Sequence, residues 1–196
     1  MVGLFLLSAL TPSAAPAFED VVMQPSLSRF EVRAIAPERT QFSGSILDGI
    51  EDAGMSGDAN VDRILELTNQ ERGRNGLAPL RLSPLLSEAA NWMARDMASK
   101  NYFDHLDSTG RRVGDRAYDF GYRGWKQIGE NIAAGQESAE RAMAEWVSSP
   151  GHYRNMMKPE YTEMGVGFMS DPASAHKRYW VQTFGTRPAY AATRYR

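Results

Sequence analysis

The sequence predicts an α+β layered domain, and three observations predict it. Apolar residues recur at helical spacing between Asp58 and Trp146. Helix-start residues, Ser83-Pro84 and Ser138, punctuate that stretch. The chain then closes on "YTEMGVGFM" and "KRYWVQTFG", two runs rich in aromatic and β-branched residues separated by the polar "SDPASAH", the pattern of a β-hairpin. A sheet with apolar faces needs cover, and the helices supply it.

In order along the chain, Val61, Ile64, Leu65 and Thr68 lie at i, i+3, i+4 and i+7, one face of a first helix. Asp58 or Asn60 can cap its start and Gly73 or Gly76 its end. Ser83 with Pro84 predicts a second helix that runs to about Lys100, with Leu85, Leu86, Ala89, Ala90, Met93 and Met97 inward. "YFDHLDSTGRR" reads as a loop, followed by a short helix over Val113–Phe120 that ends at Gly121. "GWKQIGENIAAG" carries too much glycine for a long helix and reads as a short extended or irregular stretch. Ser138 caps a further helix with Ala139, Ala142, Met143 and Trp146 on one face, and Pro150-Gly151 is expected to end it. Three or four helices therefore precede the hairpin.

Ahead of this domain, expected over residues 58–188, Val2 to Leu10 form an apolar run, and Ala15-Pro16-Ala17 fits a signal-peptidase site, so residues 1–17 read as a signal peptide without a positive n-region. The run is too short to span a membrane as a helix. Export to a secreted or periplasmic location is the expectation. Residues 18–57, broken by Pro25, Pro37, Gly44, Gly49, Gly54 and Gly57, read as a poorly structured leader, and 189–196 as a tail.

The 196 residues are 42% apolar, enough for one core, and the net charge of −2 argues against a dedicated nucleic-acid binder, which needs a basic patch. The chain has no cysteine, which excludes disulfides, thiolate metal sites and cysteine nucleophiles. G-x-S-x-G, H-E-x-x-H, phosphate-loop and dinucleotide signatures are absent. The remaining chemistry rests on His105, Glu130 and His152, each at the edge of an element. Two imidazoles and a carboxylate are the ligand set of an open zinc site and also suffice for acid–base work near neutral pH. Sequence separation does not bring them together, and taken alone each histidine reads more readily as a hydrogen-bonded loop residue. Trp146, Trp180 and the methionines read as core, Ser108 and Ser149 as polar caps rather than nucleophiles, and His176 as a solvated turn residue.

Four stretches in order, "FDHLDSTGRRVGDRAYDFGY", "IGENIAAG", "AEWVSSPGHYRNMMKPEYTEMGVGF" and "YWVQTFG", resemble the CAP superfamily of cysteine-rich secretory proteins, antigen 5 and plant pathogenesis-related proteins, and most closely its bacterial SCP-like extracellular branch. The resemblance runs from about Val61 to Gly185. It implies an α-β-α sandwich, with a central antiparallel sheet between helical layers and one or two further strands. It also implies a cleft of two histidines and two acids, in which the motifs place His105, Glu130 and His152. Read from their positions, Tyr153 and Arg154, which follow His152, line the rim, and Asn131 hydrogen-bonds local backbone and fixes the turn that presents Glu130. The second acid is expected three residues after the helix tryptophan, where this chain has Ser149; Glu145, which precedes the tryptophan, is expected to point elsewhere on the helix, and Asp107 is the spatial candidate. Eukaryotic members are linked to divalent metal in this cleft, so Zn2+ held by His105, Glu130 and His152 is the implied cofactor. The functional expectation is a binding module, non-catalytic, for a lipid, glycan or envelope component. The alternatives are a metal-dependent peptidase-like hydrolase and an extracellular structural or signalling factor acting through protein contacts.

Overall fold

A computed structural model describes residues 58–188; the expected signal peptide, leader and tail lie outside the described residues. Asp58 caps α1 (Ala59–Arg74) by accepting from the Asn60 N–H, as its position predicts. Val61, Ile64, Leu65 and Thr68 are buried, and the same stripe continues to a buried Arg72. After a two-residue β1 (Arg81–Leu82), Ser83 caps α2 (Pro84–Lys100), whose inner face buries Leu86, Ala89, Ala90, Met93 and Met97. Each large apolar side chain taken fully from water stabilises the fold by about 1.5–3 kcal/mol. Asn101, left-handed at φ 54°, ends this helix and turns the chain into the His105 loop.

The elements that follow are α3 (Val113–Asp119), β2 (Gln127–Ala134), α4 (Ala139–Ser148), α5 (Pro150–Met156), β3 (Glu163–Ser170) and β4 (Arg178–Thr186). The four strands lie in the order β1-β3-β4-β2. β2, β4 and β3 pair antiparallel, whereas β1 pairs parallel with β3 at Glu163 and Met164, so the expected antiparallel sheet is mixed. Helices cover both faces. On one, α1, α4 and α5 pack on Ala133, Met164, Val166, Trp180 and Phe184; on the other, α2 and α3 pack on Ile128, Ile132, Tyr179 and Val181. Trp146 and Trp180 are both fully buried, each with its indole N–H on a backbone carbonyl, of Ile132 and Gln136 respectively.

The "GVG" of β3 explains how closely α2 lies on the sheet. A Cβ at Gly165 would run into the backbone of Leu86 and Ser87, and one at Gly167 into that of Ala90 and Asn91. Where β1 ends, the outer edge of β3 is closed by α2: the Val166 and Phe168 N–H groups donate to Ser87 Oγ and Asn91 Oδ1, one helical turn apart. Among the described residues no helix is long and apolar enough to cross a membrane.

Of the extended and irregular readings of "GWKQIGENIAAG" the extended one holds: its centre is the eight-residue β2, held in register along β4 from Gln127 opposite Thr186 to Ala134 opposite Tyr179. One expectation is corrected. Pro150-Gly151 does not simply end a helix. α4 stops at Ser148, and Pro150 opens α5 as its first residue, where a missing N–H costs nothing and the fixed φ suits a helix. His152 therefore sits in the first turn of a helix rather than in a loop.

Candidate functional site

Alternation along β2 divides its side chains. Ile128, Glu130 and Ile132 face α2 and α3, while Asn131 and Ala133 face α1, α4 and α5. Glu130, its side chain 3% exposed, is met there from two directions. His105 Nδ1 lies 2.9 Å from Oε1, and Arg116 Nη2 donates to Oε2 at 2.5 Å. A carboxylate offers only acceptors, so the pairing assigns the imidazole proton to Nδ1 and leaves Nε2 as the acceptor of the neutral ring. The His105 side chain is 33% exposed, so part of the ring is open to solvent and ligands.

The loop that presents His105 is tied at three points. Asp96 of α2 accepts from Tyr102 Oη at 2.6 Å and from both the backbone N–H and the hydroxyl of Ser108 at 2.9 Å. Asp107 closes an Asx-type turn, accepting from the Thr109 N–H and hydroxyl, the Arg111 N–H and the Arg111 guanidinium. Burial alone would raise the Asp107 carboxyl, but these donors outweigh it and hold the group below the ordinary value of 3.8. Arg116, 1% exposed, donates Nη1 to the carbonyls of His105 at 3.1 Å and Arg111 at 2.9 Å while its other arm holds Glu130. One guanidinium thus fixes both partners of the pair. Phe103 and Leu106, on either side of His105, are exposed.

Behind the strand lies a chain of neutral amides and hydroxyls. Asn131 Nδ2 donates to the His152 carbonyl and to Gln182 Oε1, both at 3.1 Å. Asn155 Nδ2 donates to the Glu130 carbonyl at 3.1 Å and Asn131 Oδ1 at 3.0 Å, Tyr161 donates its hydroxyl to Asn155, and Gln182 donates to Thr68 of α1. Gly129 is glycine for this reason: a Cβ would collide with the Tyr161 hydroxyl and with Asn155. Asn131 does not fix a turn, as expected from sequence. It sits mid-strand and seats α5, with His152 half-buried in its first turn, against β2.

A sequence profile described as the cysteine-rich secretory protein family, CAP, matches residues 65–184. The chain belongs to this family. It is 38% identical over 122 residues to the Bacillus subtilis protein YkwD, covering 62% of this chain and 45% of YkwD. Identity to the Bacillus subtilis membrane protein YlbC is 33% over 122 residues, covering 62% of this chain and 33% of YlbC. The chain therefore spans less than half the length of either relative. Among solved structures, an extracellular SCP-domain protein of Bacillus anthracis superposes with a TM-score of 0.58 at 31% identity, covering 65% of this chain and 40% of that one. An outer surface protein of Borrelia burgdorferi superposes at 0.59 with 18% identity, covering 64% of this chain and 90% of that one, which shows a shared fold.

Within the CAP domain the structure brings the His105 and Glu130 side chains together, and His152 stands next to them through its backbone carbonyl on Asn131. Ser149, at the fourth position, stands between α4 and α5 and makes no side-chain cap bond, so its expected capping role is not realised; Ser108 spends its hydroxyl on Asp96. Asp107 is no substitute acid, because its oxygens are consumed by its own turn. Glu145 accepts from Gln136 in an open groove of ≈ 630 Å³ between the turn after β2 and the outer face of α4. Tyr153 turns to α1, with its hydroxyl on Glu71 and Asn75, so it is not a cleft-rim residue; Arg154 is exposed on α5. His176 is exposed, its ring 5.9 Å from that of Phe103.

The donor set does not fit the metal that the family resemblance implies. Both Glu130 oxygens are engaged, one by a guanidinium, and among the described residues no three His, Asp or Glu side chains gather as a metal site. Sequence reading missed Arg116, Asp96, Asn155 and Gln182. Arg116 had a signal, since it follows Val113 by three and shares its inward face with Ala117.

Proposed function

We propose that this CAP-domain chain is an exported, non-catalytic binding module that takes an envelope component, lipid or glycan, at the His105–Glu130 edge of β2. The observation that carries the proposal is the oriented imidazole: His105 is held through Nδ1 by a buried carboxylate, its side chain one-third exposed, between the exposed Phe103 and Leu106. A polar acceptor with apolar flanks suits a ligand that joins hydroxyl donors to an apolar surface, as a lipid headgroup or a sugar ring does. Export is supported by the extracellular Bacillus anthracis relative and by the leader-like first residues. Against catalysis stands the chemistry nearby: the hydroxyls of the His105 loop, Ser108 and Thr109, are committed to Asp96 and Asp107.

The test is a titration of the whole chain with phosphatidylglycerol vesicles and, separately, with soluble cell-wall glycan fragments. Binding of one probe, weakened at least about tenfold by both His105→Ala and Glu130→Gln, is expected; that factor is about 1.4 kcal/mol. Binding that ignores both substitutions removes the proposal. Turnover of an ester or peptide panel that is lost in His105→Ala replaces it with the hydrolase reading, in which His105 serves as a general base.

A further inference from the structure

We infer that Arg116 is a resident cation that takes the place of a metal ion in this cleft, so that the His105–Glu130 pair is assembled without a metal and the site refuses one. Three observations carry this. Glu130 is a buried carboxylate, and the charge that answers it comes from within the chain, a guanidinium 1% exposed at 2.5 Å. The guanidinium is not free to swing aside, because its other arm holds the His105 and Arg111 carbonyls and its backbone belongs to α3. Both Glu130 oxygens already accept within the chain, Oε2 from Arg116 and Oε1 from His105 Nδ1, and among the described residues no three His, Asp or Glu side chains gather as a metal site. A divalent cation arriving at Glu130 would meet a fixed positive charge within hydrogen-bond distance of the same carboxylate and would have to displace it.

Arg116 therefore acts as a positioning residue. Through one group it orients the Glu130 carboxylate and fastens the loop that delivers His105, the two tasks a bridging metal would otherwise perform. Because the cation is covalent, the state of the cleft is independent of metal supply, and its ligand binds through hydrogen bonds and apolar contact rather than through an ion.

The experiment is a zinc chloride titration of the chelator-treated full chain, followed by calorimetry and by the ring nitrogen signals of His105. In the wild type no saturable heat and no change at His105 are expected up to about 1 mM zinc. Arg116→Gln removes the charge but keeps hydrogen-bonding groups, and a zinc site that reports at His105 should open, at least about tenfold tighter than in the wild type. Arg116→Lys restores a charge and should close it again. Stoichiometric zinc binding by the wild type with His105 signals shifted overturns the inference, as does a folded Arg116→Gln with no gain in zinc affinity. If Arg116→Gln fails to fold, the wild-type and Arg116→Lys titrations still decide: zinc that perturbs His105 in either contradicts the inference, and zinc that perturbs it in neither supports it.

Discussion

Among the described residues two arginines are buried, one on each side of the sheet, and they are answered differently. Arg72, the last residue of the α1 stripe, gives its guanidinium to four backbone carbonyls: Ala78 at 3.0 Å, Met156 at 2.7 Å, Lys158 at 2.9 Å and Tyr161 at 3.4 Å. It works as a tie between the end of α1 and the segment that leaves α5. Arg116 has two carbonyls and, in addition, the Glu130 carboxylate, which in turn holds a half-exposed imidazole. The first arginine ends a set of interactions inside the protein. The second begins one that reaches solvent. A buried charge paired with a carboxylate that faces an exposed titratable ring is the arrangement of a site, whereas a buried charge paired only with carbonyls is architecture.

Breaking that contrast at its strongest point means Arg116→Ala. It leaves the Glu130 carboxylate buried without its cation and is expected to destabilise the domain by about 3–5 kcal/mol. Urea unfolding measures the loss, and hydrogen exchange should rise first in the His105 loop; a loss below about 1 kcal/mol would mean that the pair is not formed. Arg72→Ala should follow at about 2–3 kcal/mol, from carbonyls left without donors. Its signature is different: exchange should rise around residues 156–161 while the His105 ring signals stay in place. Movement of those signals would erase the distinction between the two arginines. Asn155→Ala removes the two amide donations that seat α5 on β2 and should cost about 1–2 kcal/mol, with envelope-probe affinity unchanged. Equal loss of affinity in Asn155→Ala and His105→Ala would extend the site to the back of the strand.

The smallest effect appears only in acid. The Asp107 carboxyl is depressed in the folded chain, so its contribution is present above the unfolded value of 3.8 and is lost as pH falls through the lower folded value. Wild-type stability should therefore drop below pH 3.8 in part through the Asp107 turn, and Asp107→Asn should flatten that part of the curve. An unchanged acid limb would show that Asp107 carries no linkage.

The helices were legible because their signals are local: the α1 stripe, Ser83 with Pro84, and Ser138, whose side chain accepts from the Arg141 N–H, all stand where their caps and periodicity predict. The sheet was half legible. β3 and β4 carry strand patterning, while β2 hides its own because Gly129, Glu130 and Asn131 interrupt the apolar run. Each interruption has a cause beyond the strand: Tyr161 and Asn155 over Gly129, the charged pair at Glu130, the amide chain at Asn131. α5 was missed because proline closes helices as readily as it opens them, and only the turn at Ser149 decides which. His105 and Glu130 came from motif resemblance; that they touch, and that His152 contacts the strand next to them through its backbone, are long-range facts that no local pattern encodes. Arg116 was overlooked because a charged residue on a short helix reads as solvated, although its place on the inward face was visible.

The most direct measurement is the tautomer of His105, read from long-range proton–nitrogen correlations of its ring in the folded, metal-free chain at neutral pH. The account predicts a proton on Nδ1, shared with Glu130, and a bare Nε2 whose signals move when the envelope probe is added, with the Nδ1 proton lost to averaging in Glu130→Gln. A ring protonated on Nε2, or one that averages between tautomers in the wild type, would contradict it.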